Sequence, residues 1–545
     1  MYNLYMYLST LLILGFILGI PLRRKGFSSS ISYLLAGIIT SLIFGIPEDV
    51  KVFLTGIGEL AIILLFFEIG YEIRIDRIKE LMGFPLYLTL VECLLAMIAS
   101  LGIGMLFGLS FWATIVLGII ASFSSTVFTF KLLEDIRPSR DHVKNLVYMV
   151  VIIEDVILVI FLGFLETMGV TNIYQYIAPL TIPLVMFTLS YEFTRHILKR
   201  YLGRDENSVV LVIGYSLALG FLSTLLGSSP AIGAFIAGLT LSGVDAGLVE
   251  RIRPIRSFTL ILFFATLGTS ISGYGLTSES VLTAILLAIA IVVVHLMASL
   301  SASMLMSGQG ILYGLETGIY LSTLSELGLI IVYVALRKNL IPHEVALASS
   351  FSIIIATIVS SMIASRKAIV LVKLYRLIPR GFRETLGFLS TYMNMTFTSL
   401  KYHVMLNLLK NLLHVMGEII ILSIILTIVV EWLIQYMGVS YIAIAVPATI
   451  YVFLYYIILK RSIKSVDKIV DMVKARNKEL LKKETRRLLY SLNTILAVTT
   501  ITATIIIMNY EKIHQYLGIT ITYILGLTLA LIPLIIITIL SIIEK

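Results

Sequence analysis

Apolar runs of about twenty residues, separated by short clusters of Arg, Lys, Asp, Glu, Gly and Pro, recur along almost the whole chain. A run of that length, wound as an α-helix, crosses the hydrocarbon of a bilayer with its backbone groups paired internally. The pattern predicts roughly seventeen such helices, about thirteen before Arg366 and about four after Asn411. The expected fold class is an all-α polytopic membrane protein, with one membrane domain over 1–370, an interfacial connector over 371–410 and an additional helical membrane domain over 411–545. The first run, Leu4 to Ile20, is followed by Arg23-Arg24-Lys25 and has no small-residue cleavage site, so it is expected to be retained rather than removed as a signal peptide.

Composition agrees with the pattern: of 545 residues, 59% are hydrophobic and 13% charged. Cytoplasmic loops of multi-span proteins are enriched in Lys and Arg. With the N-terminus outside, the basic clusters at 23–25, 74–79, 131–144, 195–204, 251–256 and 366–383 all fall inside, and so does the C-terminus. Only Arg337-Lys338 goes against this trend. The expected location is the cell membrane, and the net charge of +9 needs no nucleic-acid partner. The single cysteine, Cys93, rules out an intrachain disulfide.

The helices also suggest an inverted duplication. Helices two to six, from about Ile31 to Glu166, enter from inside, and helices nine to thirteen, from about Pro230 to Ser365, enter from outside. In each five-helix unit the fourth helix is interrupted by small and hydroxylated residues, ASFSSTVFTF (Ala121 to Phe130) and YLSTLSELG (Tyr320 to Gly328). Unwound backbone at membrane depth leaves carbonyls and amides unpaired, which lipid does not tolerate and an ion site can use. Ser124, Ser125 and Thr126 would add hydroxyl ligands suited to a hard cation. Isolated Ser and Thr more often back-bond to helix carbonyls. The matched placement of the two breaks favours a pair of crossed broken helices forming an ion-sized cage.

The strongest chemical signal is Glu154-Asp155, two acids at the centre of the apolar run Leu146 to Leu165. An acidic residue at the centre of a span costs at least ~2.5 to 3.5 kcal/mol, so the pair is read as an ion or proton site.

Six strings, in order over about the first 370 residues, resemble the cation/proton antiporter superfamily, in particular its Kef-like and related bacterial and archaeal sodium/proton antiporters. They are GELAIILLFFEIGYEI (Gly58 to Ile73), SFSSTVFTFKLLED (Ser122 to Asp135), IIEDVILVI (Ile152 to Ile160), IGAFIAGLTLSG (Ile232 to Gly243), PIRSFTLILFFATLGTSIS (Pro254 to Ser272) and LSTLSELGLIIVYVA (Leu321 to Ala335). The resemblance implies a cation/proton exchanger domain over 1–370 that carries Na⁺, or K⁺ or Li⁺, against H⁺ with no cofactor, and a homodimer is expected. It also implies that Asp155 is the shared carrier.

The family has Asp, Asn or Gln before that aspartate, and this chain has Glu154. Neighbours on a helix point about 100° apart, so Asp155 is expected to face the ion and Glu154 a partner. His295 stands where relatives carry Lys or Arg. It could pair with Glu154, or it could be a neutral histidine bonded to a carbonyl or serine. Glu326, beside Ser325 in the second break, matches an acidic family position and is expected to help organise the site, and Glu59 matches a further position. Glu68 and Glu72 are read as interfacial charges pairing with Arg74 or Arg77.

A proton and a metal ion competing for Asp155 would couple the two fluxes. The alternative is a K⁺ channel or efflux system on the same scaffold. An integral membrane enzyme would place acidic or His clusters near the headgroups, and none is evident, so no catalytic residue is assigned. Beyond Arg380 the resemblance ends. Kef-like relatives often continue into a nucleotide-binding domain, for which no strand, GxGxxG turn and helix unit is present. Instead 460–487 carries eleven Lys and Arg against four Asp and Glu, with Ile463, Val466, Val470 and Val473 at helical spacing. A cytoplasmic helix on anionic lipid and a solvated hairpin both fit that segment.

Overall fold

In a computed structural model of the chain, the residues described are 2–378 and Arg383, apart from 25–28, 74–83, 137–139, 168–173, 204, 243, 245–246, 273–276 and 307–309. The expectations for most of the connector, for the membrane domain over 411–545 and for its basic segment 460–487 lie outside the described residues.

Apart from one short 3₁₀ turn and an isolated β-bridge, the regular structure among the described residues is α-helical. In chain order the helices are α1 (Tyr2–Arg24), α2 (Ser29–Phe44), α3 (Glu48–Glu72), α4 (Phe84–Leu106), α5 (Phe111–Ile120), α6 (Thr126–Asp135), α7 (Asp141–Thr167) and α8 (Tyr174–His196). They continue as α9 (Glu206–Leu225), α10 (Pro230–Leu241), α11 (Gly247–Ser272), α12 (Ser278–Met306), α13 (Ile311–Leu321), α14 (Gly328–Arg337), α15 (His343–Ser365) and α16 (Lys367–Leu377). Among the described residues eight helices are long and apolar enough to cross a membrane. Four others, α2, α5, α10 and α14, are apolar but shorter.

Local chemistry fixes several helix starts. Asp205 accepts the Ser208 amide at 3.1 Å ahead of α9, and Ser229 accepts the Ala231 amide at 3.1 Å ahead of α10, whose first residue is Pro230. Both satisfy amides that the helix itself leaves open, and proline at the first helical position loses nothing by lacking one.

The chain divides into two compact units, each described by itself. The larger comprises Met1–Leu81, Ile119–Leu300 and Glu316–Leu374. Glycines let its helices touch backbone to backbone. A methyl placed on Gly37 of α2 would stand 2.2 Å from the Ala265 carbonyl oxygen of α11, and one on Gly268 of α11 would stand 2.1 Å from the Leu34 oxygen of α2. The α3 and α10 pair repeats this register: a methyl placed on Gly70 would stand 2.1 Å from the Phe235 oxygen, and one on Gly238 would stand 1.9 Å from the Phe67 oxygen. In all four contacts the carbonyl belongs to the residue three before the partner glycine. Small residues at such crossings are what membrane helices use for close packing, since lipid supplies no hydrophobic drive between them. A buried cluster of Tyr7, Leu11, Val50, Leu54, Leu262 and Ala265 joins α1, α3 and α11.

The smaller unit contains, among the described residues, those of Met82–Gly118 and Ser301–Leu315 and those from Tyr375 to residue 378, with Arg383. Within it, α4 and α5 approach where Gly104 faces the Thr114 side chain, and Gly314 faces the Ser303 carbonyl.

Candidate functional site

In the larger unit the chain leaves helical geometry at two places where Ser and Thr cluster. Between α5 and α6 the chain is extended at Phe123 to Ser125, and between α13 and α14 it is irregular from Ser322 to Leu327. The hydroxyls promote these breaks by offering the backbone non-helical partners. Ser125 accepts the Phe128 amide at 3.3 Å and caps α6, Ser322 donates to the Ile319 carbonyl at 2.6 Å, and Ser325 accepts the Leu327 amide at 3.2 Å.

The breaks then satisfy one another. The Ser125 amide donates to the Thr323 carbonyl at 3.0 Å and the Ser325 amide to the Phe123 carbonyl at 2.9 Å, closing an antiparallel bridge between Ser124 and Leu324. This isolated two-strand contact resolves the problem that unwound backbone poses in lipid.

The adjacent acids of α7 serve the first break differently. Fully buried Glu154 accepts the Ser124 amide at 2.6 Å, and the Ser124 hydroxyl lies 3.3 Å from its other oxygen. Asp155 accepts the Thr126 hydroxyl at 2.9 Å and is only 7% exposed. The partner of Glu154 is thus the break itself, through a hydrogen bond from a backbone amide. Asp155 is left with a hydroxyl partner that a proton or a cation at the carboxylate can share.

His295 of α12 takes the carbonyl-bonded arrangement. Nδ1 lies 3.0 Å from the Ala121 carbonyl just after α5, and Nε2 lies 2.9 Å from the Leu321 carbonyl and 3.1 Å from that of Thr323. One imidazole therefore spans both breaks where their first half-helices end and present carbonyl dipoles. A neutral ring donates from one nitrogen only, whereas an imidazolium donates from both.

The other expected residues lie around this centre or away from it. Half-buried Glu326 sits in the turn before α14. Glu59 receives Arg337 Nη1 at 2.9 Å, and both side chains are about half exposed. Arg337, Tyr333 and Thr55 help line a cavity of about 830 Å³ with Ser41, Glu48 and Lys51. Lys338 donates to the Glu166 carbonyl at 2.6 Å, so both cations of the loop that departs from the charge trend are engaged. Arg74 and Arg77 lie outside the described residues, and the described partners of Glu68 are Arg256 and Arg253 of α11.

Sequence reasoning missed Thr129, Glu316, Tyr320 and Lys367. Glu316 could have been found by the argument used for Glu154-Asp155, because it too is an acid within an apolar half-helix.

The family model described as "Sodium/hydrogen exchanger, transmembrane" matches residues 8–368. Over 226 residues the chain is 26% identical to the ammonium/H⁺ antiporter subunit AmhT of Alkalihalophilus pseudofirmus, covering 39% of this chain and 58% of that protein. It is 28% identical over 286 residues to the chloroplastic K⁺ efflux antiporter 2 of Arabidopsis thaliana, covering 48% of this chain and 24% of the relative. The chain spans about half the length of the first curated relatives it matches. The sodium proton antiporter MjNhaP1 from Methanocaldococcus jannaschii aligns over 68% of this chain and 99% of its own, with a TM-score of 0.48 and 16% identity.

Proposed function

This chain belongs to the transmembrane sodium/hydrogen exchanger family, and from that premise we propose that it is a multi-pass secondary antiporter exchanging a monovalent cation for protons at Asp155. Na⁺ is the first candidate cargo, with K⁺ and Li⁺ as alternatives. The observation that carries this reading is a buried carboxylate bonded to the Thr126 hydroxyl, at the start of a half-helix that opens from two mutually bonded breaks.

The chemistry follows from charge. A buried carboxylate holds one positive charge well, either a proton or a cation with oxygen ligands, and occupation by one displaces the other. Thr126 supplies the second oxygen, while Ser124 and Ser125 shape the break that presents it. Glu154 neutralises an exposed amide and His295 the exposed carbonyls, so neither needs to leave its post for cargo to bind. Alternating exposure of Asp155 to the two sides then couples the fluxes without a further energy source.

The same reading includes about thirteen spans over 1–370 in two inverted five-helix repeats, with the N-terminus outside. The matched register of the α2–α11 and α3–α10 glycine contacts supports the repeat. Residues 411–545 are assigned four further spans. A homodimer and contact of 460–487 with anionic lipid complete the proposal. The protein is read as a transporter and not as an enzyme.

The test is proton flux in proteoliposomes, followed with a pH dye across Na⁺, K⁺ and Li⁺, with and without an imposed potential. Asp155→Asn is expected to abolish cation-driven proton movement while the protein stays folded, and undiminished exchange would refute the assignment. K⁺ flux that needs no counter-proton would instead identify a channel, whereas the K⁺ efflux antiporter relative bears only on K⁺ as a cargo.

A further inference from the structure

A buried polar cluster at the start of α16 takes no part in the exchange chemistry above. Lys367 Nζ lies 2.7 Å from Glu316 Oε1 and 3.2 Å from the Tyr320 hydroxyl. The ion pair is enclosed, with side-chain exposures of 15% and 2%. The Tyr320 hydroxyl in turn donates to the carbonyl of Ile136, the residue that caps the end of α6.

Tyr320 also reaches the other end of α6. Its backbone carbonyl accepts the Thr129 hydroxyl at 3.2 Å, and that hydroxyl lies 2.7 Å from the Thr323 hydroxyl. Thr323 Oγ1 accepts the Ser125 amide at 3.1 Å. One residue of α13 thus holds α6 at its last turn through a side chain and near its first turn through the backbone. The first residue of α6 is Thr126, the donor to Asp155.

Stability alone is a poor reason for such an arrangement. Desolvating two charges costs several kcal/mol, and apolar replacements of buried pairs are often neutral or stabilising. Fixing one geometry is a better-attested use of buried polar groups. We propose that Lys367, Glu316 and Tyr320 form a positioning unit for the ion site, locking α6 to α13 so that Thr126 is held against Asp155 and the cation affinity is set from the start of α16. The inference deepens the antiport reading and rests on it. It also gives Lys367, the first residue of α16, a hydrogen-bonded route to the site.

The experiment measures exchange by the full chain in proteoliposomes as Na⁺ or K⁺ is titrated, beside melting temperature in detergent. Tyr320→Phe, which deletes one oxygen, and Lys367→Met should each raise the half-saturating cation concentration about tenfold, with the maximal rate within about twofold of wild type. Lys367→Arg should stay within about twofold on both measures, because it retains charge and donors. Unchanged half-saturation in a normally melting Tyr320→Phe protein overturns the proposal, as does a fall in rate alone. If Lys367→Met does not fold, Tyr320→Phe decides. Failure of the antiport reading would look different, because wild-type vesicles would then show no cation-driven proton flux with any of the cations.

Discussion

The Ser125 amide reaches Thr323 twice, at 3.0 Å to its carbonyl and at 3.1 Å to its hydroxyl. The same hydroxyl lies 2.7 Å from that of Thr129, so Thr323 ties both the first break and α6 to the second break. Thr323→Val keeps the shape and removes the oxygen. The expected result is a folded protein less stable by about 1–3 kcal/mol, the cost of buried partners left short of a bond. Chemical or thermal unfolding in detergent measures it, and an unchanged midpoint would show that the backbone bridge holds the breaks without help.

Glu154 bonds an amide of the first break and His295 carbonyls of both, and their variants should fail in different ways. Glu154→Ala strands the Ser124 amide, whereas Glu154→Gln keeps an oxygen for it. Melting temperatures are expected in the order wild type, Gln, Ala. His295→Phe removes the ring nitrogens that face the carbonyls of Ala121, Leu321 and Thr323 and should destabilise by more than either, roughly 2–5 kcal/mol. A His295→Phe protein as stable as wild type would mean that those carbonyls find other donors.

Gly238 and Gly56 make a controlled pair. A methyl on Gly238 would stand 1.9 Å from the Phe67 carbonyl oxygen, whereas nothing lies within 4 Å of one on Gly56. Gly238→Ala should therefore force α10 away from α3 and cost about 1–3 kcal/mol or more, as overpacking does. Gly56→Ala, in the interior of α3, should be neutral or stabilising by up to about 1 kcal/mol. Equal melting temperatures for the two variants would remove the close-packing argument.

Lys367 lies beyond the end of α15, and its ammonium combines opposing influences. Burial works to lower its pKa, and the bonds to Glu316 and Tyr320 outweigh that, leaving it above the ordinary 10.5. A basic group raised in this way contributes its stabilisation fully below the ordinary value and loses it only as pH climbs through the higher folded value. Between about pH 6 and 9, wild type and Lys367→Arg are thus expected to show parallel melting and pH–rate curves. Divergence within that range, read by calorimetry and dye flux, would show that the ammonium titrates there.

Much of this site was legible before any coordinates, because an acid or a run of hydroxyls inside twenty apolar residues has few reasons to be there. The two breaks, Glu154, Asp155 and His295 stand out on that ground, and the 100° step along a helix already gives the two acids different partners. What stayed hidden is pairing at a distance. Nothing local to Glu154 names Ser124, thirty positions earlier, and nothing in α12 shows His295 between carbonyls from two other segments. Lys367 illustrates the opposite error, since a lysine just past a span reads as one more inside charge until its ammonium is seen beside Glu316. The departure of Arg337 and Lys338 from the charge trend likewise finds its reason only in their partners, Glu59 and the Glu166 carbonyl.

The four glycine contacts have a wider consequence. Where main chain rests on main chain, no flexible side chain remains between the two rods to yield under load. Errors there cannot be absorbed as local dents and must travel as steps of an entire rod. The α2–α11 and α3–α10 pairs should therefore behave as stiff laminates whose members shift together or stay put together.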